Sequence, residues 1–82
     1  MERSQILDAV YDACVEILKV DKAELGEGTS FAEDLDADSL ALVEVVMQLE
    51  EQFDLRIPED DLDDVATIGA AADLVASHLA AA

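Results

Sequence analysis

Asp34-Leu35-Asp36-Ala37-Asp38-Ser39-Leu40-Ala41-Leu42-Val43-Glu44-Val45-Val46-Met47-Gln48-Leu49-Glu50-Glu51-Gln52-Phe53 is the stretch on which the reading of this chain turns. An acidic, turn-like run gives way at a lone serine, Ser39, to a long apolar helix pattern. Asp38 has the short acceptor side chain that satisfies unpaired N–H groups at a helix start, so the pattern predicts a helix from near Asp38 to near Phe53 with Asp38 as its N-cap. Its apolar residues are too many for one face. Leu42, Val46, Leu49 and Phe53 follow a 4-3-4 rhythm suited to a core, while Leu40, Val43 and Met47 follow a 3-4 rhythm rotated away from it. In a domain this small, a second apolar face is available for a partner.

Working outward, Ile6, Leu7, Val10, Cys14, Ile17 and Leu18 recur at helical spacing and predict a first helix from about Ser4 to Lys19, with Ser4 as its cap. Asp8, Asp12 and Glu16 form a solvated acidic stripe on its far side. From Asp21 to Ala37 the periodicity fails, and Gly26, Gly28, Thr29 and Ser30 supply turn chemistry. A connection this long is functional or is packed down by its own side chains, for which Phe31 and Leu35 are the anchors. After a short link, Pro58 opens a brief acidic helix around Glu59 to Val65. Thr67 then reads as the N-cap of a final helix carrying Ile68, Ala71, Ala72, Leu74, Val75 and Leu79, with Ala80 to Ala82 a frayed tail. No strand pattern and no repeat emerge. The expected fold is all-α, a small four-helix bundle with a long first loop and a short third helix, forming a single domain over residues 1–82.

Composition narrows the function classes. The chain has 82 residues, and 21 acidic against 4 basic residues give a net charge of −17, which repels nucleic acid and anionic membrane surfaces and favours partners with basic patches. An apolar fraction of 52% separates it from disordered acidic tails. Self-repulsion points to a monomer. The single cysteine, Cys14, has no internal disulfide partner and sits in a helical pattern, consistent with a reducing compartment. Met1-Glu2-Arg3-Ser4-Gln5 has neither the basic nor the apolar run of a signal peptide, so a cytoplasmic location is expected, with no membrane insertion.

The residues bear on two kinds of chemistry, nucleophilic catalysis and metal binding. A serine nucleophile needs a base, and the only histidine, His78, falls in the last turn of the final helix, where a positive charge favours the helix end; no catalytic residue is expected. Asp34, Asp36 and Asp38 match the first three ligands of an EF-hand loop, but Ser39 stands where the glycine belongs and Val45 where the bidentate glutamate belongs. No dedicated metal site is expected. Taken alone, Ser39 is a cap or first-turn residue.

Asp38-Ser39-Leu40 together with Phe53, Ile57-Pro58 and Thr67 resembles the acyl carrier protein family over most of the chain, most closely the free-standing bacterial type II carriers. The resemblance implies that Ser39 receives 4'-phosphopantetheine from coenzyme A and that the chain carries growing acyl groups as thioesters without being a catalyst. It implies a role for Asp38 in recognition by the phosphopantetheinyl transferase. Acyltransferase, ketosynthase, ketoreductase, dehydratase and enoyl reductase enzymes are the further partners implied. Leu40, Val43 and Met47, with Glu44, Glu50 and Glu51, would then form the docking face of the second helix. Phe31, Leu42, Val46, Leu49, Ile57, Val65, Ile68 and Ala71 are read as core, and as the candidate shelter for an acyl chain, with Ala71 and Ala72 leaving space. Asp36, where glycine is frequent, and Ala41, where a polar residue is frequent, depart from the commonest fatty-acid pattern. A carrier for polyketide or other specialised acyl products shares this pattern, and an acidic adaptor without a prosthetic group is the reading from a different class. Asp36-Ala37-Asp38 separates the chain from peptidyl carriers, whose motif commonly has two glycines and a histidine or aspartate before the serine.

Overall fold

The computed structural model describes residues 2–81 and orders them as α1 (Arg3–Leu18), a 3₁₀ turn (Lys22–Glu24), α2 (Ser39–Phe53), a 3₁₀ helix (Glu59–Asp64) and α3 (Ile68–Ala81). Among the described residues the only strand-like pairing is one isolated antiparallel bridge between Ser30 and Thr67, so the fold is all-α. The short third helix is wound as 3₁₀. Five of its six residues are Glu59, Asp60, Asp61, Asp63 and Asp64, which are mutually repulsive and mostly poor helix formers, and so short a segment gains little from α winding. No helix among the described residues is long and apolar enough to cross a membrane.

Caps set the helix limits. Asp38 accepts a hydrogen bond from the Ala41 N–H at 2.8 Å through Oδ1, and Asp54, in the left-handed conformation at φ 53°, closes α2. Thr67 Oγ1 accepts from the Ala70 N–H at 3.2 Å and starts α3. At α1 the expectation is corrected: Glu2 is the N-cap, its N–H donating to Gln5 Oε1 at 3.0 Å, and Ser4 lies inside the helix. α3 stays helical to Ala81, and Ala82, the end of the expected frayed tail, lies outside the described residues, as does Met1.

α1 packs against both α2 and α3. Ile6, Ala9, Val10, Ala13 and Cys14 of α1 meet Val45, Val46 and Leu49 of α2 and Ile68, Ala71, Ala72 and Val75 of α3 in one buried cluster. Leu42 and Phe53, expected in the core, are half-buried at its margin, and Val45 takes the central place beside Val46. Ion pairs close the periphery. Lys22 reaches Asp8 at 2.8 Å and Asp12 at 2.9 Å, so part of the acidic stripe on α1 holds the following turn. Arg3 joins Glu27 and Asp73, and those carboxylates, Glu27 foremost, raise its pKa.

Cys14 is fully buried, and burial pushes its thiol from an ordinary value of 9.0 up to about 11. The unfolded thiol ionises first as pH rises, so its contribution to stability is complete below about 9 and is lost as pH rises toward about 11. We expect no reaction of the folded, unmodified chain with a thiol reagent at pH 8 and one reacting thiol in denaturant. Fast labelling of the folded chain would contradict that burial.

The long first loop is held by backbone bonds to the start of α3. The Phe31 N–H donates to the Ala66 carbonyl at 3.0 Å, the Ile68 N–H to the Thr29 carbonyl at 3.0 Å, and the Gly69 N–H to the Glu27 carbonyl at 2.8 Å. Phe31 is buried under this seam as expected, while Leu35 is half-buried. Gly69 allows the close approach, because a Cβ there would stand 3.0 Å from the Glu27 oxygen. Gly69→Ala should therefore cost about 1 kcal/mol in a denaturant melt despite alanine's better helix propensity. An unchanged or raised midpoint would show that the loop yields freely.

Candidate functional site

Ser39 is the first residue of α2 and is exposed. Its hydroxyl is not needed to cap the helix, since Asp38 does that, and an anion attached here meets the positive end of the helix dipole. The loop behind it is tightly organised. The Ser30 N–H donates to Asp34 Oδ2 at 2.7 Å and the Ala37 N–H to the Phe31 carbonyl at 2.8 Å. Asp36 adopts φ 51°, the left-handed region that glycine enters without cost and that aspartate tolerates better than most residues. Asp34 and Asp38 are thus occupied in a turn and a cap. Among the described residues no group of three or more histidine, cysteine or acidic side chains is arranged to hold a metal ion.

Beside Ser39 lies a cleft of about 580 Å³ between the loop and the 3₁₀ helix. Phe31, Leu42, Val43, Leu62 and Val65 give it an apolar lining, with Glu33, Asp38, Glu59 and Asp63 among its exposed residues. Of the eight residues expected around an acyl chain, Phe31, Leu42 and Val65 come together here. Val46, Leu49, Ile57, Ile68 and Ala71 do not. They are buried in the core, Ala71 at 2% exposure, as is Ala72 at 0%. Leu62 was missed because its acidic neighbours mask a single apolar residue.

On α2, Leu40 and Met47 are the large apolar side chains left exposed, at 67% and 55%. Val43, expected beside them, is half-buried and turns into the cleft lining. Glu44 and Glu51 are exposed. Glu50 is half-buried, and one oxygen of its carboxylate accepts from the Ile57 N–H at 2.8 Å, so it also organises the link after α2. His78 lies beside Asp61 of the 3₁₀ helix, Nε2 to Oδ2 at 3.2 Å, far from Ser39 in the chain and absent from the cleft lining.

The comparisons with known proteins agree with this geometry. A family model described as the phosphopantetheine attachment site matches residues 8–75. The acyl carrier protein of Rubrobacter xylanophilus is 41% identical over 78 residues, covering 95% of this chain and 96% of that protein. The acyl carrier protein of Lactobacillus acidophilus is 38% identical over the same span length, covering 95% and 98%. A solved structure of the acyl carrier protein from Enterococcus faecalis superposes with a TM-score of 0.76 at 28% identity, covering 95% of this chain and 99% of that one. An exposed serine opening α2, in a helical fold shared with these carriers, places the chain in the acyl carrier protein family, whose members bear 4'-phosphopantetheine.

Proposed function

We propose that Ser39 is the attachment residue and that this chain is a tethered carrier in fatty acid synthesis. The observation that carries the reading is an exposed hydroxyl on the first turn of α2, released from capping by Asp38 and adjoining an apolar cleft. The residues present suit the group: an uncrowded oxygen to esterify and a helix start that favours a phosphodiester. When bound, 4'-phosphopantetheine supplies a flexible arm ending in a thiol that holds the acyl group as a thioester. Everything else is done by the protein, which presents Ser39, recognises partners and shelters apolar cargo.

Leu40 and Met47 form the apolar part of the docking face, with Glu44 and Glu51 as its charges. Such a face suits fast, salt-sensitive binding to basic patches on the transferase and on the acyltransferase, ketosynthase, ketoreductase, dehydratase and enoyl reductase. Glu50 joins these charges, one of its carboxylate oxygens holding the Ile57 N–H. The chain acts as one domain, as a monomer, in the cytoplasm. Phe31, Leu42, Val43, Leu62 and Val65 line the acyl shelter.

The test is intact mass after incubation with coenzyme A, magnesium and a broad-specificity phosphopantetheinyl transferase. One added phosphopantetheine supports the reading, and none on a folded chain removes it if a known carrier is modified in the same tube. Asp38 has two separable roles. Asp38→Asn keeps an acceptor at the N-cap and should leave stability within about 0.5 kcal/mol while slowing modification. Asp38→Ala should also lose about 1 kcal/mol of stability. Unchanged modification rates in both would take recognition away from Asp38.

A further inference from the structure

The cleft beside Ser39 has a feature that an apolar shelter does not need. Its half-buried and buried lining, Leu42, Val43, Leu62 and Val65, is accompanied by the exposed carboxylates of Glu33, Asp38, Glu59 and Asp63, drawn from both the loop and the 3₁₀ helix. Among the described residues no lysine, arginine or histidine lines it. An acyl chain entering between those walls must carry its distal end past or beside these negative charges. We propose that this carboxylate rim sorts cargo by the sign of its far end: the cleft accepts acyl chains with neutral or cationic ends and turns away chains ending in a carboxylate.

The inference rests on the cleft being the acyl shelter, and it adds a substrate class to that reading. Desolvation alone penalises any charged end, whether positive or negative. The rim separates the two. A cationic end gains from carboxylates on either wall, while an anionic end meets like charge on both and finds no cation to pair with. A carboxylate-ended acyl group therefore stays outside the cleft and accessible to partner enzymes, whereas a neutral saturated chain is withdrawn from water. The same cleft then gives different exposure to differently ended cargo without any moving part.

The test uses the full chain loaded from the coenzyme A thioesters of octanoate, 8-aminooctanoate and suberate, with intact mass confirming each loading before anything else is read. Methyl NMR signals of Leu42, Val43, Leu62 and Val65 are compared with those of the arm-bearing protein without cargo. Octanoyl should shift these signals, the amino-ended chain should shift them in a salt-sensitive way, and the suberoyl chain should leave them in place, with cleft occupancy on the order of tenfold below that of the amino-ended chain. In a Glu59→Gln, Asp63→Asn double variant the gap between the two charged cargoes should narrow. Equal shifts from the amino-ended and carboxylate-ended chains would overturn the sorting, as would an unchanged gap in the double variant. Octanoyl leaving the signals untouched would remove the shelter itself, and failed loading would strike the Ser39 assignment instead.

Discussion

Replacing Ser39 with alanine will abolish phosphopantetheine loading outright while leaving the fold intact. A phosphodiester needs the serine oxygen, and alanine has no atom that can take its place. The fold does not depend on that oxygen, because the first turn of α2 is capped by Asp38 through the Ala41 N–H and Ser39 is exposed. Alanine is also the better helix former. Stability should stay within about 0.5 kcal/mol of the parent, the range for exposed sites away from special structure. Intact mass and a thermal melt on the same samples check both halves. Modification persisting in the variant would move the attachment elsewhere, and a large loss of stability would make Ser39 a structural residue. Cys14 supplies an independent readout, since the folded unmodified chain should show no reactive thiol and the modified chain one, belonging to the arm.

Leu49→Ala should have the largest effect on stability. Leu49 is fully buried where α2 meets the core, and deleting a buried leucine side chain costs about 2–5 kcal/mol. A domain of 82 residues has roughly 4–12 kcal/mol in total, so the variant stands close to unfolding. The charge balance sharpens the outcome. With 21 acidic and 4 basic residues the folded chain repels itself, and that repulsion is strongest when salt is scarce. Raising salt from about 0.01 M to about 1 M shrinks the screening length from about 30 Å to about 3 Å. We expect circular dichroism to show a melting point at least about 10 °C below the parent in low salt, with substantial recovery in high salt. A shift of only a few degrees would mean that the site collapses around the missing side chain.

How far the sequence could be read depended on whether a signal was local. Asp38 and Thr67 were legible as caps because a cap is a contact across three or four residues, and the α2 limits followed from them. Ser39 stood out through the motif around it. Val45 was not legible as a core residue: in the apolar run from Leu40 to Met47 more than one stripe fits the helix period, and only the position of α1 selects Val45 and Val46. The shape of the cleft was hidden for the same reason, since it depends on how the loop and the 3₁₀ helix face each other. Glu50 looked like any surface acid until the link to Ile57 brought an N–H within reach. The seam between the first loop and α3 joins residues about forty apart and leaves no periodic trace, and Glu2 displaced Ser4 as a cap because Gln5 could bond back to its N–H.

The packing of α1 against both α2 and α3 governs how the chain is born as well as how it stands. A nascent chain whose α3 is still inside the ribosome has α1 and α2 available, but Ile68, Ala71, Ala72 and Val75 are missing from the site where they close the core. The seam that fixes the loop is missing too, because its partners are Ala66, Ile68 and Gly69. Cooperative folding must then wait until α3 has emerged, and the acidic part before it spends that interval as an open, protease-sensitive chain. Stalled fragments ending before α3 should be cut rapidly by proteases that spare the chain carrying α3.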